Sequence, residues 1–360
     1  MIQSVSYRAR FPLIALGFIA LLTAMWAGLL RLGWPWPVLQ PTLPVSHGPL
    51  MISGFLGTVI GVERAVALNR RWTYIGPLLT GVGGVLLIAG VPGLIAPLLL
   101  TAGSLMLVAV FGLILSIETA RYTVVMALGA LVWFIGNVLW LLGWPIYTLV
   151  YFWAGFLILT IAGERLELGR ILRYSNAVQR LFLAAVALFL LGLVASLVHY
   201  DAGVRLCGAA LLGLAAWFLR FDVARYTVRK SGLTRFIAVC LLTGYGWLAV
   251  AGLLAMVSGG QPGGLIYDAT QHAIFVGFVM SMIFGHAPII FPAVLGKPVQ
   301  YSPVFYSHLA LLHLSLLLRV AGDLATWLPG HQWGGLLNVL AILLFVANTV
   351  RGVRAGARQP

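Results

Sequence analysis

The chain has 360 residues, of which 61% are hydrophobic and only 8% charged, with a formal net charge of +14 and a mean hydropathy of +1.03. A soluble domain carries roughly 25% charged residues, and no soluble core absorbs this much apolar surface. The composition excludes a water-soluble enzyme and points to an all-α, polytopic membrane helix bundle in which the lipid bilayer is the main partner.

A hydrocarbon core about 30 Å thick needs roughly 20 apolar residues per helical crossing. Apolar runs between charged or Gly/Pro breaks predict helices at 11–31, 47–68, 74–91, 94–117, 123–143, 146–167, 177–199, 203–220, 235–257, 267–291, 302–325 and 332–352, in one integral membrane domain over 1–360. The first run follows Arg8 and Arg10 and reads as a retained helix, because its apolar part is about 20 residues long and no small-residue cleavage site closes it. The remaining basic residues fall in alternate loops: Arg70 and Arg71, Arg121, Arg165 to Arg180, Arg220 to Arg235, Lys297, and Arg351 to Arg358. Arg31 and Arg205 fall at opposite ends, and Arg319 lies inside a helix. The charge is therefore a topology signal, placing both termini on the cytoplasmic side of the inner membrane, and no nucleic-acid partner is expected. Trp34, Trp36, Trp144, Trp327 and Trp333 form the interfacial belt on the other side. Cys207 and Cys240 lie in apolar runs and read as buried free thiols.

Two stretches echo each other. Glu118-Thr119-Ala120-Arg121-Tyr122-Thr123-Val124 joins segments 4 and 5, and Asp222-Val223-Ala224-Arg225-Tyr226-Thr227-Val228 joins segments 8 and 9. Gly61-Val62-Glu63-Arg64 in segment 2 and Gly163-Glu164-Arg165 in segment 6 form a second echo. Each echo links helices four segments apart, which predicts three pseudo-repeated four-helix units with segments 2, 6 and 10 as equivalents.

The histidines and intramembrane charges carry the chemical information, since each is costly in lipid unless partnered or hydrated. His199 and His331 fall at external helix ends, where a His is cheap and structural. His47 opens segment 2 and His272 lies near the start of segment 10, both entering from the external face, so two imidazoles are expected at similar depth. That is the arrangement a six-coordinate haem needs. His308 and His313 on segment 11 lie about 140° apart around the helix, poor for one shared ion. His286 sits beside Pro288 and Pro292, where the helix loosens. These three are the candidates for a second metal. Arg319 and Asp323 are four apart and able to pair on one face of segment 11.

His47-Gly48-Pro49-Leu50-Met51 resembles the ligand-bearing second helix of haem-copper oxidase subunit I, with Met four residues after His. His272, followed by Phe291-Pro292 and Gly296, looks like that subunit's tenth helix. The NnrS family of bacterial membrane proteins is a closer match: His47, Met51, Gly54 and Phe55 fit its second helix, His272, Ala273, Val276, Gly277, Met282 and Gly285 its tenth, and Leu317-Leu318-Arg319 its eleventh. The resemblance implies a haem-copper-oxidase-like bundle binding haem b between His47 and His272. It further implies a propionate partner in Arg319 and a role in handling nitric oxide or in electron transfer with a respiratory redox partner. The chain departs from both patterns. Pro49 and Leu50 stand where NnrS has a second His and a Glu, so copper is in doubt. Segment 6 has no His, segment 7 has only His199, and position 270 is Thr270, so oxygen reduction at a haem-copper centre is not expected. Two other classes fit twelve helices: a secondary transporter, against which the four-helix repeat speaks because carriers usually pair six with six, and a cofactor-free assembly factor for respiratory complexes.

Overall fold

A computed structural model describes residues 7–357, and every regular element among them is helical. Arg358, part of the basic C-terminal group, lies outside the described residues. Twelve long helices run in chain order: α1 (Tyr7–Arg31), α2 (Pro44–Leu68), α3 (Ile75–Ile88), α4 (Ile95–Ile117), α5 (Arg121–Leu141), α6 (Ile146–Leu168), α7 (Asn176–Val198), α8 (Tyr200–Phe221), α9 (Gly232–Ser258), α10 (Leu265–Val294), α11 (Phe305–Leu324) and α12 (Leu328–Gly356). Among the described residues, eleven are long and apolar enough to cross a membrane. The exception is α3, whose 14 residues span only about 21 Å at the α rise. A 3-10 turn over Arg71–Tyr74 leads into it, and the chain leaves it at Gly90, whose φ of 68° closes the helix while Val91 N–H bonds back to the Leu86 carbonyl.

The most apolar span is the least buried. The most apolar helix, α7, has a mean hydropathy of 2.8 and is 33% buried over its best window, whereas the span containing α6 scores 1.8 and is 83% buried. Lipid rewards apolar side chains on the outside, and a helix wrapped in protein is free to carry polar groups that neighbours satisfy.

The chain divides into two compact units, Met1–Phe156 with Ile290–Gly296, and Leu157–Ile289 with Lys297–Pro360. In the first, α1 packs on α2 and α3, α3 on α4, and α4 on α5. In the second, α7 packs on α8, α8 on α9, α9 and α11 on α10, and α11 on α12.

Two helices depart from α winding. In α2, π winding runs from Leu50 to Gly57, right after His47–Pro49; in α10 it runs from Ala273 to Val279, right after His272. The wider turn frees carbonyls, and in each helix a hydroxyl takes one back: Thr58 Oγ1 donates to the Gly54 carbonyl at 2.7 Å, and Ser281 Oγ to the Gly277 carbonyl at 2.5 Å. An indole lies against a glycine of each π segment. A Cβ on Gly57 would stand 2.5 Å from Trp133, and one on Gly277 would stand 2.5 Å from Trp247. α6, the expected counterpart of α2 and α10, is α-helical throughout. The Ala-Arg-Tyr-Thr-Val echo also lands differently: Arg121 opens α5, whereas Ala224–Thr227 makes a separate single turn before α9.

Candidate functional site

A histidine binds a metal through a nitrogen that carries no proton, so its hydrogen bonds report whether it is prepared to do so. A carbonyl oxygen only accepts. His47 Nδ1 lies 2.7 Å from the Ala24 carbonyl, His272 Nδ1 2.9 Å from the Asp268 carbonyl, and His286 Nδ1 2.7 Å from the Met282 carbonyl. In all three the proton sits on Nδ1 and Nε2 is the basic nitrogen. The opposite holds on α11. The indole N–H of Trp247 donates to His313 Nδ1 at 3.0 Å, and the Asn348 amide donates to His308 Nδ1 at 3.1 Å, so the proton sits on Nε2 in both. His308 is enclosed by the rings of Phe236, Phe284, Phe305 and Phe345. The two α11 imidazoles thus engage different helices, α12 and α9, and neither joins His286 in a cluster. His199 caps α8, its Nδ1 accepting from Ala202 N–H.

Around His47 the imidazole has close steric support. The imidazole packs on the backbone of Gly28 in α1, where a Cβ would stand 2.9 Å from Cε1 and 3.0 Å from Nδ1. Farther along α2, a buried polar network stitches the π segment to its neighbours. Trp133 Nε1 donates to Ser53 Oγ at 3.0 Å, Ser53 Oγ to Asn137 Oδ1 at 3.3 Å, and Trp153 Nε1 to the same Asn137 oxygen at 3.0 Å.

Around His272 the support is charged. Asp268, one turn earlier on α10, places Oδ1 3.3 Å from His272 Nδ1. The Arg319 guanidinium grips the same carboxylate with two bonds of 2.8 Å, from Nε to Oδ2 and from an Nη to Oδ1. The expected pairing of Arg319 with Asp323 therefore gives way to a cross-helix pair, because the long Arg side chain reaches α10 while the short Asp323 turns to α12. There Asp323 Oδ1 lies 2.5 Å from His331 Nδ1, and His331 Nδ1 is 3.8 Å from Asp268 Oδ2. His331, read from the sequence as a cheap helix-end residue, is in fact 8% exposed and part of this cluster. Glycines bring α11 and α12 together: a Cβ on Gly322 would stand 2.5 Å from the His331 backbone nitrogen, and one on Gly334 2.5 Å from the Arg319 backbone nitrogen. With α11 and α12 at backbone contact, even short side chains meet. Asp268 and His331 were missed by sequence reasoning. The His–Asp spacing of four on α10 and the run of glycines at 322, 330 and 334 were the available signals.

At the other end of α6, Arg165 makes a two-point pair with Asp222 at 2.9 and 3.1 Å, with both side chains buried. Asp222 Oδ1 also caps the turn at Ala224 N–H, 2.7 Å away. Tyr174, in the loop before α7, donates to the Phe221 carbonyl at 3.0 Å, and burial, with the Asp222 carboxylate nearby, pushes its pKa up to about 12. Glu63 and Arg64, the echo of Glu164 and Arg165, lie 3.8 Å apart, with Arg64 over the Phe111 ring.

No curated protein matches the chain. The sequence model of a domain of unknown function, DUF8744, matches residues 10–354, nearly the whole length, and the chain belongs to that family.

Proposed function

We propose that this membrane protein binds a b-type haem, NnrS-like and oxidase-like in kind, with His47 and His272 supplying imidazole to the iron, and that it works in electron transfer or in the response to nitric oxide. The observation that carries this reading is the shared state of the two histidines. Each directs Nδ1–H to a backbone carbonyl, which makes Nε2 the basic nitrogen, and each precedes a π-wound turn. Metal-binding histidines carry such second hydrogen bonds, and π turns gather at functional sites. Attachment is non-covalent, since the sequence has no Cys-x-x-Cys-His. Bound iron supplies a one-electron couple. If His47 and His272 both held the iron, they would leave it no free position for a gas, which favours electron transfer or sensing over turnover. Arg319 has five N–H donors and Asp268 takes two of the N–H directions, so a propionate would engage the others. Copper finds less support, because His308 and His313 carry their proton on Nε2.

The test is a reduced-minus-oxidised visible spectrum of protein purified in detergent from haem-replete cells. A b-type α band is expected in the wild type and in His308→Ala, and its loss in His47→Ala and in His272→Ala. A colourless wild type contradicts the proposal.

A further inference from the structure

The geometry points to a divalent metal site, separate from the haem ligands, formed by Asp268, Asp323 and His331. One donor atom from each of the three lies within 4.8 Å of the other two, and this is the only such group among the described residues. Asp323 is 2% exposed and His331 8%, so two of the three donors are withdrawn from water.

The hydrogen-bond inventory shows what is missing. A carboxylate offers about four lone-pair positions. On Asp268, each carboxylate oxygen receives one Arg319 N–H, Oδ1 also lies 3.3 Å from His272 Nδ1, and Oδ2 lies 3.8 Å from His331 Nδ1. On Asp323, Oδ1 receives His331, while Oδ2 is buried with no hydrogen-bond partner among the described residues. A buried carboxylate oxygen with no donor is costly. A proton on His331 answers Oδ1 and leaves Oδ2 as it is. A cation held by Asp268 Oδ2, Asp323 and His331 Nδ1 answers all three, directly or through a water that it orders.

The donor set selects the ion. Two carboxylates and one imidazole suit zinc, manganese or ferrous iron; calcium and magnesium prefer oxygen alone, and cuprous copper prefers thiolate or thioether. Bonds of roughly 2.1 Å place tetrahedral donors roughly 3.4 Å apart, between the 3.8 Å from His331 Nδ1 to Asp268 Oδ2 and the 2.5 Å from His331 Nδ1 to Asp323 Oδ1, so seating the ion parts the second pair. Arg319 then acts as the group that orients a metal-binding carboxylate, as such ligands generally require. Binding takes the place of the proton on His331 Nδ1, which the neutral imidazole then carries on Nε2.

The experiment strips purified full-length protein with chelator, reloads it with Zn²⁺, removes the excess and measures metal by mass spectrometry. One equivalent of zinc is expected in the wild type, in His47→Ala and in His308→Ala. Asp323→Asn and His331→Gln, which preserve shape and stand on different helices, should each lose it while eluting as the wild type does on size exclusion. Arg319→Lys should weaken binding about 10–100-fold. Zinc-free wild type after reloading overturns the proposal, as does undiminished binding in both ligand variants. Because His47→Ala is expected to hold zinc, failure of the haem reading and failure of this one are told apart.

Discussion

The His47 region and the His272 region solve the same problem by different means. Both put a histidine with Nδ1–H on a backbone carbonyl at the head of a π-wound stretch, and both lay a tryptophan indole on a glycine of that stretch. In the first, a close-packed glycine and a neutral Ser–Asn–Trp network fix the helix. In the second, a carboxylate clamped by an arginine stands beside the imidazole. A neutral scaffold costs little to bury but has little effect on the imidazole's basicity. A carboxylate near Nδ1–H strengthens the donor power of Nε2, at the risk of stranding a charge if any partner is lost.

The largest expected difference comes from removing that charge. Asp268→Leu leaves Arg319, whose side chain is 7% exposed, without its partner, and should destabilise the protein by about 3–5 kcal/mol in a denaturant titration in detergent. In the region of His47 the corresponding break is steric. Gly28→Ala drives a methyl against the imidazole and should cost about 1–3 kcal/mol while shifting any His47-dependent absorbance. Gly57→Ala and Gly277→Ala press equally on Trp133 and Trp247, so both should lose about 1–3 kcal/mol in thermal melts; a large loss in only one would show that the π segments are not alike. Trp133→Phe should have the smallest effect, about 1 kcal/mol, because Ser53 keeps its bond to Asn137. Trp247→Phe should exceed it, since it strands His313 Nδ1.

The helices were legible because lipid imposes a simple rule. Runs at 146–167 and 177–199 end within a residue of α6 and α7 at either end, and the all-α membrane class follows from composition alone. The apolar tail of the run at 74–91 was over-read as helix, since hydropathy does not see that Gly90 turns the chain. The π windings left no mark in hydropathy, which averages over a turn whatever its width. At the site, single residues of unusual cost were visible: His47, His272 and Arg319 stood out as polar groups in apolar runs. Their partners did not. Arg319 meets a carboxylate 51 positions away, and its helical neighbour Asp323 was the wrong choice because side-chain length, not spacing, decides which helix is reached. The tautomers that separate His47 and His272 from His308 and His313 depend on backbone carbonyls and on Trp247 and Asn348, which only tertiary structure brings into place.

The most direct measurement is the low-temperature electron paramagnetic resonance spectrum of the oxidised, purified protein. Bis-imidazole ligation by His47 and His272 predicts a low-spin ferric haem signal in the wild type that is lost or turned high-spin in each single His→Ala variant. A wild-type spectrum that is high-spin, or that holds no ferric haem although the cells were haem-replete, would contradict it.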